Sequence, residues 1–154
     1  MKIPLDIRQS SGGLKPFVNV HFKIPYQKVR GSTVRGILSA FVDTGSPFTI
    51  ISEVDSTRLR IQISGTPRTI QLGGAMINGY EVKGSEFFVL CDDKKNYCNI
   101  SIPSILVARP INRVPHSIEV SKALPSIIGV DLLLHHKLAL YFDVYHKISY
   151  LEKV

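Results

Sequence analysis

The chain has 154 residues, which suits one domain whose core needs neither disulfides nor a metal. Apolar residues make up 44% and charged residues 20%, as in ordinary globular proteins, and no apolar stretch approaches the ~18 residues of a spanning helix, so no membrane segment is expected. The net charge is +7, but the 19 Lys and Arg residues are scattered and no RNA-binding signature or helix-turn-helix spacing accompanies them, so nucleic acid is not expected as a partner.

Residues 1–6 carry one Lys and no apolar run of the signal-peptide kind, which leads to the expectation of a cytoplasmic protein. Residues 1–16 are expected to be a flexible N-terminal segment, loosest at 9–13. Residues 17–24 alternate as a strand does. Residues 26–32 read as a loop, and 33–42 as a second strand with Gly36 as a bulge. Turn residues 43–47 interrupt the apolar run, which resumes at 48–51. Ser52, with Asp55 three residues on, is an N-cap for one or two helical turns over 52–59.

Residues 68–82 read as a hairpin around Gly73-Gly74. Residues 86–91 and 98–107 are further strands. The turn between them separates Cys91 from Cys98; flanking strands that set the thiols opposite each other would allow a disulfide, and two reduced thiols are the plainer reading. Residues 109–125 contain three prolines and read as an irregular connection. Ile127-Ile128-Gly129 is short and buried, and 131–136 is a short helix. Residues 138–142 and 148–151 form a closing hairpin whose Tyr141, Phe142, Tyr145 and Tyr150 suit core or dimer-interface packing. His135 and His136 suit the end of a helix, and no metal-ligand spacing appears. The whole reads as one mostly β domain over 1–154.

The segment with chemical content is Ala40-Phe41-Val42-Asp43-Thr44-Gly45-Ser46. It sets an acid on a tight turn at the end of an apolar strand, where partial desolvation and backbone donors tune a carboxylate for proton transfer. A plain turn between two strands would also use Asp and Gly.

Asp43-Thr44-Gly45-Ser46 after two apolar residues resembles the active-site loop of aspartic proteases. Ile127-Ile128-Gly129 resembles the apolar-apolar-Gly of the second ψ-shaped loop in that fold, and Val130-Asp131-Leu132-Leu133 the short helix after it. The Gly-rich hairpin lies between them, where the family carries its flap. The order of elements over residues 17–152 resembles a retropepsin of cellular or prokaryotic type. This resemblance implies a closed β-barrel with one or two short helices. It implies a flap at Leu72, Gly73, Gly74, Ala75 and Met76, with a plain hairpin turn at Gly73-Gly74 as the alternative. It implies no metal or organic cofactor.

The chain holds one such motif. Chemistry of this kind needs two carboxylates sharing a proton, so the resemblance implies a homodimer with Asp43 from each subunit at its axis, acting on a peptide or unfolded protein. By position, Thr44 would bond across the dimer, Gly45 would bring its N–H to the carboxylate, and Ser46 would support an outer carboxylate oxygen and favour an acidic optimum. Asp131 is expected to cap or solvate its helix, its place beside the second ψ-shaped loop leaving a site-supporting role as the lesser reading. The alternative is a retropepsin-like binding or dimerisation module without general proteolytic activity.

Overall fold

The computed structural model describes residues 1–25, 33–83 and 88–154. The loop expected at 26–32, and residues 86 and 87 of an expected strand, lie outside them.

The framework is two long antiparallel strands, β3 (Gly13–Pro25) and β4 (Thr33–Val42), in register from Phe17 opposite Phe41 to Pro25 opposite Thr33. Alternation sets their inner faces: Val18, Val20, Phe22 and Ile24 on β3, and Leu38, Ala40 and Val42 on β4, are all buried. Gly36 is not a bulge. It keeps unbroken register opposite Phe22, and the space a side chain would fill is taken by Leu59.

The N-terminal stretch read as flexible lies in strands. Within it are β1 (Lys2–Pro4), β2 (Asp6–Ser10) and the start of β3. Ile3 and Leu5 are core residues, and β2 forms a hairpin with β3. The partner of β1 is β13 (Ile148–Lys153), from the other end of the chain, which also pairs with β12 (Leu138–Asp143). The closing hairpin thus becomes part of a three-stranded sheet. Tyr141 stacks on Tyr150, and Tyr141, Phe142 and Tyr145 are exposed, so these rings are not core.

The remaining strands are β5 (Ile50–Ile51), β6 (Arg68–Leu72), β7 (Ala75–Lys83), β8 (Phe88–Cys91), β9 (Tyr97–Ile100), β10 (Ser104–Pro110) and β11 (Ser126–Ile128). They extend the large sheet in the order β6-β7-β10-β5-β11-β4-β3-β8-β9. Among the described residues this path is open, with β6 and β9 at its ends, so the mostly β fold is present without a closing pair. In β8 and β9, Cys91 lies opposite Tyr97 and Cys98 opposite Leu90. The cysteines are one rung apart and face opposite sides of the sheet, so the disulfide considered above does not form and both thiols are free.

Three helices are described: α1 (Glu53–Arg58), α2 (Pro115–Ala123) and α3 (Val130–His135). Ser52 caps α1 as expected, its Oγ accepting from Asp55 N at 3.1 Å. The expected irregular connection contains α2. Pro115 stands in its first turn, where a missing N–H costs nothing, and Pro125 follows its end. The buried residues of α2 are Ser117 and Ser121. Ser121 Oγ donates to Glu53 Oε2 of α1 at 2.6 Å. Ser117 Oγ accepts from Ile111 N at 2.8 Å and donates to Met76 O of β7 at 2.7 Å. Ser117→Ala should therefore strand a backbone donor and an acceptor, lowering stability by about 2 kcal/mol in urea unfolding. A loss below about 0.5 kcal/mol would contradict that accounting.

Among the described residues no helix is long and apolar enough to cross a membrane.

Candidate active site

The site forms where β11 lies between the two strands on either side of residues 43–49. β11 pairs parallel with β4, Ile127 beside Phe41 and Ile128 beside Val42, and antiparallel with β5 at Ile127 and Ile50. The chain leaves β4 at Asp43, turns, and returns as β5 across β11. Asp43 N donates to Ile128 O at 3.0 Å, which fixes the start of the turn. Ser46 N closes it onto Asp43 O at 3.2 Å, and Val130 N reaches Ser46 O at 2.9 Å.

Asp43 is half-buried, with its Oδ1 accepting from Gly45 N at 2.9 Å. Thr44 and Gly45 are exposed. Asp43 opens into a cleft of about 260 Å³ shared with Phe41, Leu72, Gly73, Leu124 and Ile127. Gly73 and Gly74 have φ of 60° and 81°, and Leu72 pairs with Ala75 across them, a two-residue turn of the type that requires left-handed backbone at both positions. A second cleft of about 230 Å³ lies along Ser46, Phe48, Ile50, Ile70 and Leu72. Among the described residues no group of three or more His, Cys, Asp or Glu is placed to hold a metal.

No protein-family model matches the chain, and no curated protein does. Solved structures do. The chain is similar to a retropepsin-like aspartic protease from Rickettsia conorii, at 13% identity, with 99% of this chain and 89% of that one covered and a TM-score of 0.52. The fold is that of the retropepsin-like aspartic proteases. Weaker likenesses are to an EIAV protease bound to an inhibitor (13% identity, 79% and 86% covered, TM-score 0.45) and to the retroviral protease-like domain of Ddi1 from Leishmania major (16%, 89% and 90%, 0.43).

Within this retropepsin-like fold, Asp43, Leu72, Gly73 and Ile127 share one cleft. Ala75 and Met76 do not line it: Ala75 is buried, and Met76 is exposed with its carbonyl held by Ser117. The hairpin tip rests on α2, with Gly73 packed against Val120 and Leu124 and the Gly74 carbonyl 3.3 Å from His116 Nε2. Ser46 departs from the expected role. Its hydroxyl is buried and donates to Phe48 O at 2.8 Å, so it braces the loop rather than the carboxylate, and the acidic optimum inferred from it loses its basis.

Asp131 does more than cap or solvate α3. Its Oδ1 accepts from Leu132 N at 2.7 Å and from Thr49 Oγ1 at 2.6 Å, and its Oδ2 accepts from Thr49 N at 2.9 Å. Thr49 Oγ1 accepts in turn from Gly129 N at 3.1 Å. One carboxylate thereby ties the strand leaving the Asp43 turn to the loop leading into α3. Asp131→Ala should cost about 3 kcal/mol, because it orphans the buried Thr49 N–H and two further donors. Asp131→Asn should cost less, since its one oxygen keeps part of the set. Equal urea midpoints for the two variants would contradict this geometry.

Proposed function

We propose that the chain is an aspartic endopeptidase, acting as a homodimer on peptides or unfolded protein. What carries the reading is the carboxylate of Asp43, set in a cleft at the junction of β4 and β11 with its Oδ1 held by the Gly45 N–H. The retropepsin-like fold supports it. The exposure of Thr44 and Gly45 beside that carboxylate agrees with a site that a second copy completes.

Two Asp43 carboxylates meeting at a two-fold axis share one proton, because two like charges at contact distance repel strongly. The ionised member takes a proton from a bound water. That water attacks the peptide carbonyl carbon while the protonated member donates to the carbonyl oxygen. Collapse of the tetrahedral intermediate breaks the C–N bond as the nitrogen takes up a proton. This chemistry needs no metal or organic cofactor. An extended peptide pairs with the backbone beneath the 68–82 hairpin, its side chains alternating between pockets.

The test incubates the purified chain with unfolded protein or a peptide library from about pH 3 to about pH 7, with and without pepstatin, beside Asp43→Asn. Cleavage that pepstatin and the substitution both remove supports the reading, and cleavage that survives the substitution overturns it. A well-folded wild-type chain that binds peptides and cleaves none in this range is instead a binding module on the same fold. Sedimentation gives a second check: an active, strictly monomeric chain contradicts the dimer.

A further inference from the structure

The cleft beside Asp43 holds a cation that this chemistry does not use. Lys15 precedes Phe17 by two positions on β3, so both side chains leave the same face of the strand. Phe17 is in register with Phe41, their ring centroids 5.8 Å apart. Lys15 Nζ sits 4.8 Å from the Phe41 ring centroid, and Phe41 stands two residues before Asp43. Lys15 is half-buried and lines the same cleft as Asp43. Among the described residues it has no salt bridge.

Its cross-strand neighbour Arg8 contrasts with it. Arg8 is committed, donating to Asp6 Oδ2 and Ser39 Oγ at 2.6 Å each. Apart from the catalytic acid and the two serines of the 10–13 turn, the walls of the cleft are mostly apolar. An ammonium lining a cleft whose walls are mostly apolar attracts a carboxylate more strongly than it would in open water, leaves a neutral side chain without compensation, and repels a second cation.

We propose that Lys15 is a specificity-determining residue, which makes the cleft beside Asp43 select substrates with Glu or Asp at a position flanking the scissile bond. The proposal rests on the protease reading and goes beyond it by naming the substrate class.

The test uses the full chain. Bonds cut in a peptide library are mapped, and one cut peptide is then remade with Glu, Gln, Leu or Lys at each flanking position. At one of the two positions, kcat/KM should be about tenfold higher with Glu than with Gln, the scale of a charge-assisted hydrogen bond. Lys15→Met, similar in length but uncharged, should level that ratio. Lys15→Glu should favour the Lys peptide over the Gln peptide. A ratio in Lys15→Met equal to the wild-type ratio overturns the proposal, even if Lys15→Glu fails to fold. So does a Lys15→Met that moves the pH profile and leaves the ratio alone, since Lys15 would then act on Asp43 and not on substrate. Cleavage with no preference at either position sinks the role of Lys15 and spares the protease. Absence of any cleavage sinks both.

Discussion

Asp43→Asn should lower peptide hydrolysis by at least about 10³-fold and leave the fold intact. Asn has the shape of Asp, and its amide oxygen still accepts the Gly45 N–H that now reaches Oδ1 at 2.9 Å. What it lacks is an ionisable oxygen. In the proposed dimer, two asparagine side chains in place of the carboxylates can neither take a proton from water nor pass one to the leaving nitrogen. Stability should stay within about 0.5 kcal/mol of wild type in urea unfolding, the range for a change that strands no buried group.

Mixing sharpens the experiment. If each dimer needs a carboxylate from both subunits, a mixed dimer is inactive. At equal amounts of wild-type and Asp43→Asn chains, freely exchanging, about a quarter of the dimers carry two carboxylates. Activity per wild-type chain should then fall to about half. A chain that works alone would keep full activity per wild-type chain. Initial rates across a series of mixing ratios separate the two, since the dimer gives a quadratic dependence on wild-type fraction and the monomer a linear one.

The strands that frame the site were legible because their signal is local. Alternation along β3 and β4 needs only the chain itself, and so does the Ser52 cap of α1. The two-glycine turn was legible for the same reason, because few residues besides Gly adopt positive φ at two successive positions. The turn at Asp43 and the buried Ile127-Ile128 were also visible.

What escaped was long-range or polar. Helix α2 buries Ser117 and Ser121, which are satisfied by hydrogen bonds instead of apolar contact, so no apolar period marked it. The prolines around it were a usable signal: Pro115 in the first turn and Pro125 after the end bracket a helix as well as they interrupt a loop. Strand β1 owes its order to β13, at the far end of the chain. The bonds of Asp131 to Thr49 span 82 residues, and nothing local to either distinguishes that acid from a capping one. The cysteines turned on register, where a shift of one residue moves a side chain to the other face.

Gly129→Ala should be among the most damaging single changes in the chain, because the added methyl meets backbone and not side chain. A Cβ at Gly129 would lie 2.3 Å from the Phe48 carbonyl oxygen, 2.4 Å from its carbon and 2.9 Å from Ser46 O. These atoms have no rotamer to retreat to. Phe48 O is held by the Ser46 hydroxyl, Ser46 O by Val130 N, and Gly129 N by Thr49 Oγ1. Relief therefore requires the 43–49 loop to move as a body away from β11, carrying Asp43 with it. The backbone at Gly129 has φ of −96°, a value any residue adopts, so the substitution carries no dihedral strain and removes some entropy from the unfolded chain. The steric term has to outweigh that small gain. Overpacking against immobile atoms costs about 3 kcal/mol or more, a large share of the roughly 5–15 kcal/mol that holds a domain folded. Gly74→Ala is the matched control. Nothing lies within 4 Å of its Cβ, but its φ is +81°, so it should cost about 1 kcal/mol from backbone strain alone. Urea unfolding of the two variants should separate them by about 2 kcal/mol, the difference between those two costs. A Gly129→Ala chain as stable as Gly74→Ala would mean that β11 and the Asp43 loop are not as closely apposed as they are here.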